Sequence, residues 1–267
     1  MTKPVRGYQA PGEGRTFGIS LATSIALFVG WDLITRFGVL PPLILPSPTA
    51  VWQAFMAGVR GELQGGVTIF EHFAWSVTRV FGAFFAACLT AVPIGILMGV
   101  SRIARGVFDP PIEFYRPLPP LAYLPLVIIW FGIDEASKVI LIYLACFAPL
   151  AVAARAGVRS VTVEQINAAR SLGASQFQVV WHVILPSAMP EILTGMRIAI
   201  GFGWTTLVAA EMVAATAGLG QMVLNASNFL RTDVVIMGIV VIGIIALVFD
   251  ALMRKAEAVI VPWKGKM

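Results

Sequence analysis

The sequence contains few charged residues. Of its 267 residues only 12% are Asp, Glu, Lys or Arg, whereas 58% are hydrophobic. A water-soluble globular protein carries about 25% charged residues, so this chain has too little polar surface to cover a soluble body of its size. The composition excludes a cytosolic enzyme, a secreted disulfide-stabilised domain and a disordered chain. It predicts an integral membrane protein.

The chain also has only two cysteines and two histidines. Cys88 and Cys146 both lie in apolar runs, and His72 and His182 are far apart. We therefore expect no disulfide framework, no metal site and no catalytic cluster. The net charge of +5 comes from dispersed basic residues, so we expect no nucleic-acid partner.

Long apolar runs between the charges predict an all-α membrane domain of about six transmembrane helices. A spanning helix needs roughly 20 mostly apolar residues, and no alternating pattern indicates a barrel. The predicted spans cover residues 17–34, 80–100, 117–133, 139–154, 192–215 and 234–249.

These spans divide the chain into three parts. We expect an N-terminal tail over residues 1–16, a membrane domain over residues 17–253 and a basic C-terminal tail over residues 254–267. The polar N-terminal stretch is followed by no small-residue cleavage pattern, so we expect the first span to be a retained anchor.

The Lys and Arg residues predict the orientation. Thirteen of the nineteen lie on the side that holds both termini and the loop over residues 157–190. Five lie on the other side, among them Arg79 and Lys138, and Arg197 lies inside a span. Because Lys and Arg are enriched in cytoplasmic loops, we expect both termini and this loop in the cytoplasm.

The loop over residues 157–190 has the pattern of two short helices with a hinge. Capping boxes, in which Ser or Thr is followed three residues later by Gln, begin at Thr162 and Ser175. Gly173 is a typical helix stop, and we expect Pro186 to end the second helix.

Small and apolar residues of this loop suggest a contact surface. Ala168 and Ala169 allow another backbone to approach closely, which favours docking of a soluble partner; the alternative is a loop that lies on lipid headgroups. Phe177 and Trp181 share an apolar face of the second helix. We expect them to fasten it to the membrane domain, and packing beneath their own loop is the alternative.

Glu211 lies about twenty residues into the fifth predicted span, near its outer end. Intramembrane carboxylates usually face a cavity or a partner. Glu211 is therefore predicted either to meet a cationic substrate group or to serve as a gate or helix-packing residue through hydrogen bonds.

The same span carries Trp204, Thr205 and Thr206. They are predicted either to line a pathway or to bond to their own backbone and neighbouring helices. Arg197 either attracts an anion, extends to the interface or pairs with Glu191.

Arg116 is followed by Pro117, Pro119, Pro120 and Pro125. Prolines at this density are incompatible with an unbroken helix, so we expect a bent or broken helix there. Two interpretations of this broken helix are open: it is a gate, or it is a simple kink.

The loop has the spacing of a known motif. Residues 167–169 read Asn-Ala-Ala, Gly173 follows after three residues, and residues 183–186 read Val-Ile-Leu-Pro after nine more. This resembles the EAA loop of ATP-binding-cassette (ABC) importer permeases, Glu-Ala-Ala, three residues, Gly, nine residues, Ile-x-Leu-Pro. Asn167 stands where the family has Glu, and Val183 where it has Ile.

Further segments resemble the nitrate, sulfonate and taurine permease group. They cover residues 114–126, 129–132, 203–211 and 230–235. Within that group, residues 116–122 and 142–145 are most similar to taurine permeases.

The resemblance implies a type I ABC importer permease in the bacterial inner membrane, which moves taurine or a related organosulfonate by alternating access. It implies a second permease copy, cytoplasmic ATPase subunits, a periplasmic substrate-binding protein and surrounding lipid as partners. The chain lacks a Gly-x-x-x-x-Gly-Lys-Ser/Thr loop. We therefore expect ATP and Mg²⁺ only in the partner ATPase, and no cofactor in this chain.

Site residues follow from the resemblance in two groups. Residues expected to couple to the ATPase are Asn167, Ala168, Ala169, Leu172, Gly173, Phe177, Trp181 and Pro186. Residues expected to line the pathway or form a gate are Trp204, Thr205, Thr206, Glu211 and Arg116, with Glu211 placed to meet the ammonium of taurine. The surface for the binding protein is expected over residues 38–73, 218–220 and 225–231.

Other readings are open at this point. The same class of importer for an alkanesulfonate, nitrate or an aromatic acid fits the resemblance equally. A secondary transporter or channel for a small anion would need several intramembrane ionisable groups, and a membrane enzyme would need a cluster of His, Asp and Glu.

Overall fold

The computed structural model describes residues 17–63 and 65–263, and it is helical throughout its regular segments. The predicted tail over residues 1–16 lies outside the described residues, as do Gln64 and residues 264–267. The helices are α1 (Phe17–Arg36), α2 (Pro48–Arg60), α3 (Ile69–Val100), α4 (Arg102–Tyr115), α5 (Pro120–Phe131), α6 (Glu135–Arg159), α7 (Val163–Ser171), α8 (Gln176–Val179), a π-helical turn (Val180–Ile184), α9 (Leu185–Ala214), α10 (Leu219–Asn228) and α11 (Thr232–Ile260).

Five helical rods in the described residues are long and apolar enough to cross a membrane. They contain α1, α3, α6, the continuous rod from α8 through α9, and α11. The sixth predicted span is α5, with 12 residues. At about 1.5 Å per residue it is roughly 18 Å long, which is shorter than a hydrocarbon core of about 30 Å.

The chain between α4 and α5 breaks as the prolines predict. Residues 116–119 form a turn, and Pro120 occupies the first turn of α5, where its missing N–H has no intrahelical role. Pro125 lies inside α5, and Gly132 ends that helix with φ +78°. The break makes α4 and α5 two separate helices.

Helices α3, α6 and α9 form the centre of the bundle. Their shared core includes Ala83, Ala87 and Ala91 of α3 and Ala148 and Ala151 of α6, all buried. Small side chains let helix backbones approach closely, and membrane helices associate through such packing. The core is therefore built on close backbone contact.

Glycines mark the closest approaches between these helices. A Cβ at Gly95 would lie 2.5 Å from the carbonyl oxygen of Ala151, and one at Gly195 would overlap the Cβ of Ala153. Gly82, on the same helix as Gly95, has no atom within 4 Å of its Cβ position. Glycine is thus required sterically at some positions of α3 and not at others.

Helices α2, α10 and α11 pack together in a second cluster, which includes Ala54, Met222 and Met237. Helix α2 lies within the predicted surface over residues 38–73, and Ser47 caps it. Helix α1 lies outside these clusters, with the side chains of its apolar stretch unburied. Its Trp31 donates from Nε1 to the carbonyl of Pro46 at 2.9 Å.

Helix α11 extends to Ile260. The tail predicted from residue 254 onward is therefore helical in its first part. Arg254 pairs with Asp250 one turn earlier on the same helix.

Gly95→Ala is expected to destabilise the protein by about 1–3 kcal/mol, because overpacking a close helix contact forces a backbone shift. Gly82→Ala on the same helix is the matched control and should be neutral or stabilising, because alanine favours a helix. Thermal unfolding of the purified protein in detergent measures both. Equal melting temperatures for the two variants would contradict the close contact at Gly95.

Candidate functional site

The carboxylate of Glu211 lies at the N-terminus of α10. Glu211 is fully buried, and the N–H of Gly220 donates to its Oε2 at 2.9 Å. Ser76 of α3 donates its hydroxyl to Glu211 at 2.8 Å and accepts the N–H of Leu219 at 2.9 Å. The first N–H groups of a helix lack partners within it and favour a nearby negative charge. Glu211 and Ser76 supply those partners in a buried place.

Gly218 completes this arrangement. It has φ +141°, and a Cβ there would overlap the carboxylate of Glu211. Its N–H donates to Nδ1 of His72 at 3.0 Å. Glycine is required at this position both for backbone conformation and for space.

Arg79 of α3 connects three elements. Its Nη1 donates to Glu211 at 2.7 Å and to the carbonyl of Ala217 at 2.6 Å, while Nε and Nη2 donate to Glu135 of α6 at 2.7 and 2.8 Å. Lys138 donates to the same Glu135 at 2.6 Å. Two cations therefore balance two carboxylates in a cluster of Arg79, Lys138, Glu135 and Glu211. Glu135 is partly exposed and the other three are buried, so we call it the buried charge cluster.

The cluster adds to one prediction and corrects another. Arg79 and Lys138, which the sequence places on the outer side, are only 3% exposed and lie inside helices. Glu211 has no exposed surface, so its predicted contact with a substrate ammonium was wrong in this conformation. Helix packing through hydrogen bonds, the alternative, describes its geometry.

Sequence reasoning missed this cluster although one signal was present. His72, Ser76 and Arg79 follow the i, i+4, i+7 spacing of one helix face. The predicted span begins at Val80, after the last charge, and therefore excludes this helix face.

Part of the surface predicted for the binding protein is buried and part is exposed. Residues 218–220 are buried, so including them in a docking surface was wrong, because their N–H groups point into the core. Phe229 and Leu230, in the loop after α10, are exposed.

The other three pathway candidates of α9 differ in their exposure. Trp204 and Thr206 are each 5% exposed, and the Trp204 ring packs 5.4 Å from that of Phe249 on α11. Placing Trp204 and Thr206 on a pathway was wrong in this conformation, because both face the helix core. Thr205 is exposed and donates to the carbonyl of Phe202 at 2.9 Å.

Thr205 lines a groove of about 680 Å³ between α5, α6 and α9. At the opposite end from the buried charge cluster, the groove reaches Arg116 and the turn that follows it. Pro149 and Phe202 belong to its largely apolar wall. The structure thus brings Arg116 and Thr205 to one groove and leaves Glu211 outside its lining.

The elbow, residues 160–175 with helix α7, lies at the same end of the bundle as Arg116. Both predicted capping boxes are present, at Thr162 and Ser175. The N–H of Gly173, which has φ +83°, donates to Arg170 O, and the N–H of Ala174 donates to Ala169 O. This pair of bonds is a Schellman motif, which needs a left-handed residue such as glycine.

The elbow exposes one face and buries another. Asn167, Ala168 and Leu172 are exposed, Leu172 at 89%. Ile166 and Ala169 pack against a cluster formed by α6 and the rod from α8 to α9. The backbone N–H of Glu164 itself and the hydroxyl of Thr162 keep the pKa of Glu164 below its ordinary value.

Phe177 and Trp181 do not fasten the second helix within this chain. They are 70% and 52% exposed and contact each other at 5.9 Å between ring centroids. Val179 and Ile184 are buried in their place. The two rings share a face as predicted, but that face is exposed, because the π-helical turn places Val179 and Ile184, five residues apart, on the buried side.

Pro186 does not end the helix. It lies in the first turn of α9, directly after the π-helical turn. The N–H of Leu185 reaches back five residues to Val180, and this shift accommodates a residue that has no N–H of its own. The rod therefore runs unbroken from the elbow into the membrane domain.

Arg197 does not pair with Glu191. It lies 3.6 Å from Glu257 and 3.9 Å from Asp250, both on α11. The described residues contain no group of three or more His, Cys, Asp and Glu that could hold a metal ion.

The sequence matches the family described as the binding-protein-dependent transport system inner membrane component over residues 91–259. The chain belongs to this family of ABC importer permeases.

Its similarities within the family are more specific. It is 51% identical over 255 residues to the taurine transport system permease protein TauC of Escherichia coli K12, covering 95% of this chain and 92% of that one. It is 34% identical to the putative aliphatic sulfonates transport permease protein SsuC of Bacillus subtilis 168, over 88% of this chain and 83% of that one. It is 32% identical to the nitrate import permease protein NrtB of Synechocystis, over 85% and 90%. The chain is thus a member of the taurine, sulfonate and nitrate permease group.

The fold agrees with this assignment. An inward-facing structure of the MetNI methionine ABC transporter matches with a TM-score of 0.62 and 17% sequence identity, over 72% of this chain and 95% of that one. The architecture is that of a type I importer permease.

Arg79→Gln is expected to destabilise the protein by about 3–5 kcal/mol, because it leaves Glu211 buried without its cation. Arg60→Gln is the matched control, since Arg60 is exposed and its ion pair with the exposed Glu62 is long, at 3.9 Å. This substitution should destabilise the protein by less than about 1 kcal/mol. Thermal unfolding in detergent compares the two. A similar small shift for both would show that the buried charge cluster contributes little to stability.

Proposed function

We propose that this chain is the membrane subunit of an ATP-driven importer for taurine or a closely related organosulfonate. The observation that carries the proposal is the 51% identity to the taurine permease of Escherichia coli across nearly the whole of both chains. The groove between α5, α6 and α9 supports it, because one end of the groove offers a cation to an anionic substrate.

The elbow is the proposed contact with a cytoplasmic ATPase. It exposes the apolar side chain of Leu172, and the following helix exposes the contacting rings of Phe177 and Trp181. Exposed apolar surface of this kind is typical of a docking site. Asn167 and Ala168 lie exposed on the same loop.

The unbroken rod supports a mechanical role for this contact. A push on the elbow is transmitted along the continuous helical rod of α8, the π-helical turn and α9, past Pro186 and as far as Thr205 and Glu211. ATP and Mg²⁺ act in the partner ATPase, and this chain supplies the moving helices. A packed element with two positions is what such coupling requires.

The remaining partners complete the scheme. A second permease copy closes the pathway, a periplasmic binding protein delivers the substrate to the α10 end, and both termini face the cytoplasm. The exposed Phe229 and Leu230 lie at the proposed delivery end.

Reconstitution tests this function. The permease, its ATPase and the binding protein are placed in liposomes, and uptake of labelled taurine is measured with and without ATP. We expect ATP-dependent uptake that excess taurine suppresses more strongly than ethanesulfonate or nitrate. Stronger suppression by ethanesulfonate or nitrate would assign the chain to another substrate of the group, and uptake without ATPase would support a secondary transporter or channel.

Gly173→Val is expected to uncouple ATP hydrolysis from uptake, because a β-branched residue is strained at φ +83° and distorts the elbow. Gly173→Asn is the control, since asparagine tolerates this conformation and nothing lies within 4 Å of the added Cβ. Uptake per ATP hydrolysed should fall about tenfold or more for the valine variant and remain near wild type for the asparagine variant. Normal uptake by a normally inserted valine variant would refute the role of the elbow.

A further inference from the structure

His72 holds the start of α10 through a hydrogen bond that only an uncharged imidazole can accept. Its Nδ1 lies 3.0 Å from the backbone nitrogen of Gly218, which donates its N–H to the ring. Because a backbone N–H can only donate, Nδ1 carries no proton and the neutral ring bears its proton on Nε2. A protonated imidazole has an N–H at both ring nitrogens and no acceptor. Protonation of His72 therefore breaks this bond.

The imidazole of His72 lies close to the protein surface although it is only 5% exposed. It lines a cavity of about 20 Å³, which is room for a single water molecule. Asn225 and Arg231 line the same cavity, and Arg231 is exposed. A change of pH at the α10 end of the protein therefore reaches the ring through this cavity.

The charged side chains on the elements around His72 are bonded or paired to groups other than the imidazole. They are Arg60 and Glu62 at the end of α2, Glu71 and Arg79 of α3, Glu211 of α9, and Arg231 and Asp233 at the start of α11. Among the described residues, the N–H of Gly218 is the partner of Nδ1. Titration of the ring therefore acts first on its link to α10.

We infer that His72 is a pH-sensitive latch between α3 and α10. The neutral ring holds Gly218 and the first turn of α10 in place, and the protonated ring releases them. That turn supplies the N–H of Gly220 to Glu211, and Gly218 lies directly against the same carboxylate. Acid at the α10 end therefore loosens one side of the buried charge cluster.

The expected effect is a local opening. Ser76 and Arg79 of α3 still hold Glu211 after the latch has opened, so the bundle of α3, α6 and α9 stays folded. The latch lies at the end where the proposed function places delivery of the substrate. It involves this chain alone, so its test needs neither substrate nor ATPase, and its failure would leave the proposed function untouched.

Hydrogen exchange of the full-length permease in nanodiscs tests the latch. The measured quantity is the protection factor of the peptide that contains Gly218, Leu219 and Gly220, relative to the intrinsic exchange rate at each pH. Histidine changes its charge between about pH 5 and 8, so the comparison is made at about pH 7.5 and about pH 5.5. Uptake of one proton on opening shifts the equilibrium by up to about tenfold per pH unit. Protection in the wild type should therefore fall about fivefold or more at the lower pH.

His72→Asn separates the titration of this side chain from its packing. The asparagine carbonyl oxygen is attached to Cγ, as Nδ1 is, and accepts a hydrogen bond at both pH values, so protection should change less than about twofold between them. His72→Leu has no acceptor and should show low protection at both. His182→Asn is the matched control, because His182 is the other histidine of the chain and is exposed on the π-helical turn; this variant should keep the acid response of the wild type.

Equal acid responses in the wild type and His72→Asn would overturn the latch, because another group would then be the one that titrates. Wild-type protection that is the same at the two pH values would overturn it as well. Loss of the response in His182→Asn would assign the titration to the elbow end and also refute the latch. His72→Gln, a second neutral acceptor, replaces His72→Asn if the asparagine variant does not insert.

Discussion

A buried carboxylate at a helix N-terminus constrains one whole end of this protein. Glu211 must be compensated because an isolated charge is costly away from water. Its compensation comes from two other helices, through the serine and arginine of α3 and the first turn of α10. Arg79 in turn pairs with the glutamate of α6. Gly218 is required because a side chain there would occupy the carboxylate's place. The α10 end is therefore fixed by charge, and its parts depend on one another.

The opposite end is organised differently. Close backbone contacts hold α3, α6 and α9 together along their length, whereas the elbow is attached by a few apolar side chains such as Val179 and Ile184 and exposes the rest. Helix α9 belongs to both ends, since Glu211 anchors it at one and the π-helical turn joins it to the elbow at the other. A rod fixed at one end and exposed at the other suits the proposed transmission of force from a docked ATPase.

The groove lies between these two ends. The charged residues at the two ends differ in how deeply they are buried and how strongly they are paired. The intramembrane carboxylate is paired and buried, so it is not free to attract or repel a substrate. Arg116 lies on the groove beside an exposed and weaker partner. The strong ion pairs thus maintain the fold at the α10 end, and the weaker pair lies at an exposed position beside the groove.

The sequence by itself determined the features that depend on a few neighbouring residues. The composition placed the chain in a membrane, the capping boxes at Thr162 and Ser175 began helices where expected, and the prolines after Arg116 broke the chain into α4 and α5. The spacing around Gly173 identified the family. Tertiary structure decided what depends on distant residues: which face of α9 is buried, that Arg79 and Lys138 lie inside the protein, and that Phe177 and Trp181 remain exposed. It also decided that Pro186 continues a helix. The physical reason is that a charge becomes tolerable inside a bundle only when a partner from another helix meets it, and no local pattern records that partner.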